Sequence, residues 1–420
     1  MSNQKKQWGA IIVMIALFAM IAFVTNLCTP MATIIKNQGP ISNVLAQIGN
    51  YGNFVAYLVM GIPAGMLISK FGYKKTALIG LAVGATGIII QWVSGLLDVE
   101  QNLGLVFGVY LVGAFIAGLC MCILNCVVNP MLNLLGGGGN SGNQLIQIGG
   151  VFNSSAAVAC YILMGALIAD ASKAKIADAT PALMIALAIF VVAFIVISFT
   201  KIEEPEQAPV ELSLIKGAMS YRHFALGALA IFLYMGIEVG VPNFVQQYLI
   251  ADGIPAGTVG MLVAVYWFMM LIGRFVGAGI GNKVSSRAMI TTVSIATLVL
   301  VLFGMYAPTD VIVSFPGVDW GQLELIWQPI PVGIFAFLLV GLCTSVMWGA
   351  IFNMAVEGLG KYTAIASGIF MTMVFGCAVM MAIQAAVADA TNYITSFWVV
   401  VFCAAYLLFY ALVGSKPAKK

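Results

Sequence analysis

Apolar runs long enough to cross a bilayer recur along the whole chain, and short polar stretches separate them. A hydrocarbon core takes about 20 apolar residues per helix. On that length the pattern predicts twelve spans, at 8–35, 45–69, 76–97, 103–134, 146–169, 181–200, 223–250, 257–281, 286–307, 331–357, 362–387 and 392–413. Several exceed the minimum, which allows tilt or protrusion without fixing an angle. The longest polar break, Lys201-Ile-Glu-Glu-Pro-Glu-Gln-Ala-Pro-Val-Glu211, runs on to Arg222 and separates six spans from six. Its composition is that of a solvated linker. The chain therefore divides into a first six-helix bundle at 1–200, a linker at 201–222 and a second bundle at 223–420, with a short surface helix expected near 212–219. A second long loop, 308–331, is expected to hold Trp320 and Trp327 at the headgroup level.

The two halves repeat at one offset. Gly61-x-x-x-Gly65 leads into Lys70-Phe-Gly-Tyr-Lys-Lys75, and Gly273-x-x-x-Gly277 leads into Asn282-Lys-Val-Ser-Ser-Arg287. The offsets 273 − 61 and 287 − 75 are both 212. The same 212 carries Pro30 onto Pro242 and Asn26 onto Glu238. The first and seventh spans thus share a polar-then-proline break. Parallel six-helix repeats with broken helices near the midplane are the pattern of two-halved secondary transporters.

Charge orients the spans. With both termini inside, Lys5, Lys6, Lys70, Lys74, Lys75, Lys201, Lys216, Arg222, Lys283, Arg287, Lys361, Lys416, Lys419 and Lys420 fall on the cytoplasmic side. Only Lys36, Lys173 and Lys175 fall outside, where the loops carry acids instead. That bias is the positive-inside signal. Composition agrees: 62% of residues are hydrophobic, 8% are charged and the mean hydropathy is +1.06, against about 25% charged in soluble domains. The first run, starting near Trp8, reads as a retained span and not as a cleaved secretory signal. All eight cysteines lie in apolar segments and the single histidine, His223, is near none of them, so they read as small core residues.

Against this apolar background the polar residues inside the spans carry the chemistry. Glu238 lies in Tyr234-Met-Gly-Ile-Glu-Val-Gly-Val-Pro-Asn-Phe-Val-Gln-Gln-Tyr248 and is the one acid placed near the middle of the membrane. A carboxyl there is costly and marks a functional site by default; the alternative is a buried acid that only holds helices together. Gly236, Gly240 and Pro242 loosen the backbone around it. Asn243, Gln246 and Gln247 follow, all able to donate and accept hydrogen bonds. Thr25, Asn26 and Thr29 precede Pro30 in the first span. Asn50, Asn53 and Tyr57 share a face of the second, and Asn125, Asn129 and Asn133 step by four along the fourth, where Pro130 is expected to break the helix. The fifth span has Gln144, Gln147, Asn153, Ser154 and Ser155; the eighth has Tyr266 and Trp267; the tenth has Trp348 and Asn353; the eleventh has Gln384. Any one of these amides could serve as glue between helices. Asn26, Asn125, Gln147, Asn153, Glu238, Asn243, Gln246, Gln247, Trp267 and Asn353 are the candidate solute contacts. Amides beside an aromatic face suit a sugar, apolar on one face and hydroxylated at its edge. Glu238 is also the one group placed to carry a proton.

Lys70, Lys74, Lys75, Lys283 and Arg287 are expected to close the cytoplasmic face, with Arg274 and Glu357 paired in the same gate. Gly136-Gly-Gly-Gly-Asn-Ser-Gly142 reads as a flexible connector, since no Lys-Ser/Thr follows it and no strand precedes it as a phosphate loop requires. No metal cluster, cofactor motif or hydrolytic triad is expected, and no nucleic-acid partner; the protein is expected to work as a monomer in the lipid bilayer and not as an enzyme.

At these residues the chain resembles the fucose–galactose–glucose symporters of the major facilitator superfamily, proteins of the bacterial inner membrane. The resemblance covers most of the chain and is carried by Gly61-Ile-Pro-Ala-Gly-Met-Leu-Ile-Ser-Lys-Phe-Gly-Tyr-Lys-Lys75, Asn129-Pro130, Phe152-Asn153-Ser154, Gly236-Ile-Glu238, Gly273-Arg274-Phe275 and Gly358-Leu-Gly-Lys361. It implies an all-α fold of twelve helices in two pseudo-symmetric bundles, alternating access, and a monosaccharide imported with protons. It also implies that Asn153 touches the sugar. Two departures stand out. Thr29, in Leu27-Cys-Thr-Pro30, occupies the place of a family acid, and Asn125 replaces another in the fourth span. The resemblance thus supports fold and solute class more firmly than proton coupling, and leaves Glu238 as the sole deep titratable group. The reading that follows is an importer of a hexose or related sugar, coupled through Glu238. Its alternatives are a sugar uniporter, an exporter of a small polar metabolite or drug, and a membrane sensor that binds sugar without moving it. An exporter predicts a cavity of aromatics and methionines with few amides; a sensor predicts binding without uptake.

Overall fold

The computed structural model describes residues 7–97, 102–136, 139–168, 174–202, 204, 211–280, 284–320 and 322–416. Eleven of its helices are long and apolar enough to span a membrane. The longest, Ile48–Ser94, turns at Gly72 with φ 79° and ψ 173° and so contains two spans. This gives the twelve expected, within a few residues of the expected bounds.

The helix breaks follow from proline chemistry. The first span is Trp8–Asn26 followed by Cys28–Lys36, interrupted at Leu27. The seventh is Arg222–Glu238 followed by Gly240–Ala251, interrupted at Val239. Pro30 and Pro242 have no N–H to offer the carbonyls of Asn26 and Glu238, four residues earlier. The two interrupted residues are again 239 − 27 = 212 apart. The second half carries further breaks: Val332–Thr344 then Met347–Val356, Thr363–Met373 then Gly376–Ala390, and Tyr393–Ser396 then Trp398–Phe409. Contrary to the expected break, the fourth span, Leu103–Leu135, continues through Pro130 without interruption.

Glycines set the seams between the halves. A Cβ on Gly61 would lie 2.5 Å from the backbone nitrogen of Thr372, so the second span packs closely on the eleventh. A Cβ on Gly260 would lie 2.6 Å from the carbonyl of Tyr161, where the eighth span meets the fifth. Small residues allow this approach in a membrane, where lipid already solvates apolar side chains and packing drives association.

Two expectations are corrected. The loop 308–331 is a β-hairpin, with Ile312–Asp319 paired antiparallel to Glu324–Pro331 from Ile312↔Pro331 to Asp319↔Glu324. Its strand β1 (Ile312–Asp319) packs on the start of the eighth span, where Gly257 abuts the Val318 carbonyl and the Trp320 ring. Trp320 is therefore partly covered, whereas Trp327 on strand β2 (Glu324–Pro331) is 63% exposed. The glycine-rich connector is also shorter than expected, because Gly139–Leu167 is already helical. The surface helix within the linker is present as a 3-10 turn, Leu212–Leu214, and a helix, Ile215–Met219.

At the turn between the second and third spans, Glu204 accepts from the backbone N–H groups of Tyr73 (2.5 Å) and Lys74 (2.8 Å). Its carboxylate lies where a Cβ on Gly72 would stand. The φ and ψ of Gly72 fall in a region open essentially to glycine alone, worth about 1–3 kcal/mol of strain for another residue. Gly72→Ala is expected to lower the melting temperature in detergent by that order of destabilisation. An unchanged melting curve would show that the Glu204 cap does not hold this turn.

Candidate functional site

The hairpin lies on the face opposite the linker, and the two faces differ in how the halves meet. At the hairpin face Lys36 Nζ donates to Asn43 Oδ1 and Tyr393 Oη, and its ammonium sits 4.9 Å from the Tyr393 ring centre. Tyr393 Oη donates to Asn43 Oδ1 at 2.7 Å. Asp389 accepts from the backbone N–H groups of Asn43 (2.8 Å) and Val44 (3.1 Å), capping the short helix that leads into the second span. Lys36 and Asn43 belong to the first half, Tyr393 and Asp389 to the second.

Beneath this charged latch lies an amide layer. Gln47 Nε2 donates to Asn243 Oδ1 at 2.9 Å, and Asn243 Nδ2 donates back to Gln47 Oε1 at 3.2 Å. Asn50 Nδ2 donates to Gln47 Oε1 at 2.6 Å, Gln247 Nε2 to Asn243 Oδ1 at 2.5 Å, and Asn243 Nδ2 also reaches Thr29 Oγ1 at 3.3 Å. Gln47 and Asn243 are fully buried. The break at Val239 turns this segment of the seventh span against the first and second spans. Of the candidate solute contacts, Asn243 is thereby committed to joining the halves, and Gln247 supports it from the same helix. Gln246 is also buried and faces a cavity with Thr33 and Tyr161.

Nearer the linker face, the polar groups keep partial exposure. Asn125, Asn129, Asn153, Glu238, Arg274 and Trp348 are half-buried and Asn353 is exposed. Asn125 Nδ2 donates to Tyr57 Oη and to the Met121 carbonyl, both at 3.0 Å. Asn153 Nδ2 donates to the Phe18 carbonyl at 2.8 Å. Arg274 donates through one Nη to the Gly150 carbonyl and, at 3.4 Å, to Asn153 Oδ1. Trp348 lies against Tyr234, with ring centres 6.2 Å apart. Asn153 and Arg274 therefore meet between the fifth and eighth spans, and so between the two halves, while Glu238 is half-buried on the seventh.

Other candidates are drawn elsewhere. Asn26 is buried and donates back to the Ala22 carbonyl of its own helix at 2.8 Å. Trp267 is buried and stacked on Tyr161, centres 6.4 Å apart, so this ring face is covered. The side chain of Gln147, like Lys283, lies outside the described residues.

The gate is also corrected. Arg274 does not turn to Glu357; it points into the interior, so Glu238 is not the only deep charge. Glu357 is exposed, and its carbonyl accepts from His223 Nε2 at 2.8 Å. Lys74 Nζ donates to the Ser198 and Thr200 carbonyls at 3.0 and 2.8 Å, which ties it to the sixth span of its own half. Lys70, Lys75 and Arg287 are exposed at the linker face. Sequence reasoning missed Gln47, Asn43, Tyr393 and the pairing of Lys36 with the second half. The only signal was that Lys36 is one of few cations on its side, opposite many acids.

The family model described as Major Facilitator Superfamily matches residues 10–380, and the chain belongs to that family, whose members are transporters and not enzymes. The chain is 28% identical over 425 residues to a glucose/galactose transporter of Brucella abortus, covering 99% of this chain and 96% of that protein. It is 27% identical over 419 residues to a putative glucose/galactose transporter of Helicobacter pylori, covering 96% and 95%. It is 21% identical over 433 residues to an L-fucose-proton symporter of Escherichia coli, covering 96% and 92%. Among solved structures it resembles the transporter FucP in its outward conformation, with a TM-score of 0.69 and 20% identity over 97% of this chain and 98% of that one. It also resembles the nucleoside transporter NupG, with a TM-score of 0.67 and 11% identity over 98% and 100%. At these identities the solved structures speak to the fold alone. The expected fold of twelve helices in two six-helix bundles stands on them and on the family match.

Proposed function

We propose that the protein imports a hexose or related monosaccharide by alternating access, with the sugar held between the bundles near Asn125, Asn153 and Glu238 and a proton carried by Glu238. One observation carries the reading: polar side chains of both halves, Asn153 on the fifth span and Arg274 on the eighth, meet inside the membrane below the latch and amide layer that join the halves at the hairpin end. The names of the relatives, glucose/galactose transporters and L-fucose-proton symporters, supply the solute class and the coupled ion. The chain divides at 201–222, with the linker face cytoplasmic and the hairpin face outside a bacterial inner membrane. The deciding experiment is uptake of a panel of labelled sugars by cells expressing the protein, with and without a protonophore. Uptake of no sugar overturns the reading; uptake that is never concentrative and ignores the protonophore leaves a uniporter, which the replacement of the two family acids by Thr29 and Asn125 would favour.

Asn153→Ala tests the sugar contact. Losing a hydrogen bond to an uncharged hydroxyl costs about 0.5–1.5 kcal/mol, roughly 2- to 10-fold in affinity. The Arg274 donor at 3.4 Å is long and weak, so Asn153 Oδ1 is open to exchange with a hydroxyl. Unchanged sugar affinity in a folded Asn153→Ala protein removes Asn153 from the site. Lys74→Cys tests orientation: labelling by an impermeant thiol reagent added outside intact cells would reverse the assignment of faces.

A further inference from the structure

We propose that the cavity around Gln246 and Thr33 is an outer sugar subsite, which holds a solute entering from the hairpin face before it reaches Asn153. The inference rests on the transport reading and adds a second station to it. The cavity is lined from both bundles, by Pro30, Thr33 and Tyr161 of the first and by Gln246, Val259 and Gly260 of the second. It therefore lies on the seam that alternating access opens. Two unbroken helices fix its depth. Tyr161 follows Asn153 by eight residues in Gly139–Leu167, and Gly260 precedes Arg274 by fourteen in Ala256–Ile280. At 1.5 Å per residue these steps are about 12 and about 21 Å. Both run toward the hairpin, so the cavity stands between that face and the contact of Asn153 with Arg274. No single hydroxyl can serve both levels.

The lining identifies the ligand. Gln246 and Thr33 are buried, yet the Gln246 amide oxygen and the Thr33 hydroxyl have no hydrogen-bond partner among the described residues. A buried polar group left unpaired is costly. Asn243 and Gln247, on the same helix as Gln246, make the contrast, because both take part in the amide layer. Gln246 turns instead toward Tyr161 of the fifth span. The groups in want of partners are neutral, an acceptor and a hydroxyl, so the ligand that suits them is a neutral hydroxyl. The Tyr161 ring, stacked on Trp267, supplies an apolar wall beside them. Hydroxyls next to an apolar face are what a sugar presents. In this sealed form the cavity measures about 30 Å³, room for about two waters and not for a monosaccharide. The sugar therefore binds here when the hairpin face is open, and sealing leaves it no room except toward Asn153. Water offers the same hydroxyl chemistry, and the test separates the two.

The probes are D-glucose, D-galactose and their monodeoxy analogues, given to right-side-out and inside-out membrane vesicles that hold the full-length protein. Gln246→Met and Thr33→Val keep the size of each side chain and remove its unpaired group, and either one serves if the other fails to fold. For entry from the hairpin face, each is expected to raise the KM of the parent sugar about 2- to 10-fold. For one monodeoxy analogue, the one lacking the hydroxyl that the group held, each is expected to leave KM unchanged, because that contact is already missing. Presented from the linker face, the sugars are expected to keep their wild-type KM. A mere shift between open and sealed forms moves every sugar alike and does not give this pattern. An equal rise for the parent sugar and all analogues leaves water as the only occupant and overturns the proposal. So does an equal rise from both faces, which merges this station with the Asn153 site, or an unchanged KM in both variants. Wild-type vesicles that take up neither hexose overturn it as well, and failure with the whole panel of labelled sugars overturns the transport reading too.

Discussion

Glu238→Gln is expected to end concentrative sugar uptake while leaving counterflow exchange of sugar across the membrane. The glutamine keeps the size of the side chain and much of its hydrogen bonding but cannot titrate. A carrier that moves one proton with its sugar gains about 2.3 kcal/mol for every 100 mV of membrane potential. At about 1.4 kcal/mol per factor of ten, that is roughly fifty-fold accumulation. Without the proton the accumulation ratio collapses toward unity, whatever happens to the rate. Exchange needs only the loaded protein to reorient in both directions, so it survives. The position of Glu238 motivates the assignment: it closes the first half of the seventh span, deep in the membrane, and its carbonyl is deprived of a donor by Pro242. Two outcomes would sink it. Full accumulation by Glu238→Gln assigns the ion to another group. Wild-type uptake that never accumulates sugar and ignores a protonophore removes the coupling altogether.

The parts of this site that could be read from the sequence are those written in local chemistry. Pro30 and Pro242, each following a polar residue at the same offset, announced the breaks at Leu27 and Val239, because a missing N–H acts on the helix that contains it. The twelve spans were legible for the same reason, each apolar run satisfying its own backbone. Arg274 was not. Its distance from the end of the eighth span placed it at the gate beside Glu357, whereas packing against Gly150 turns it inward, and that contact joins residues 124 positions apart. The hairpin was overlooked because only runs of bilayer length were sought. The segment from Val311 to Pro331 holds β-branched and aromatic residues on both sides of a short polar turn, a pattern a search for strands would have found. The partnership of Gln47 with Asn243 lies furthest from view: two amides 196 residues apart, neither with a motif, meet only because the first, second and seventh spans converge.

That pair carries the other large expected effect. Asn243→Leu is expected to shift the protein toward forms open at the hairpin face by about 5- to 150-fold, the equivalent of 1–3 kcal/mol. In the sealed form, the substitution leaves Gln47 with both of its Asn243 hydrogen bonds gone and Gln247 without its acceptor, all within a buried layer. Once the face opens, water satisfies the same groups, so the penalty falls on the sealed form alone. The readout is the reactivity of Thr33→Cys, buried on the adjacent turn of the first span, toward an impermeant thiol reagent applied at the hairpin face. Seven of the eight native cysteines are buried, which keeps the background low. Gln47→Leu is expected to act in the same direction, since it strands Asn243 and Asn50. The double variant Gln47→Leu, Asn243→Leu is expected to reseal most of the way, because removing both partners of a buried pair leaves two apolar groups facing each other instead of one stranded amide. Reactivity that adds across the two substitutions would mean that the amides act separately and that the charged latch of Lys36, Asn43, Tyr393 and Asp389 closes the face without them.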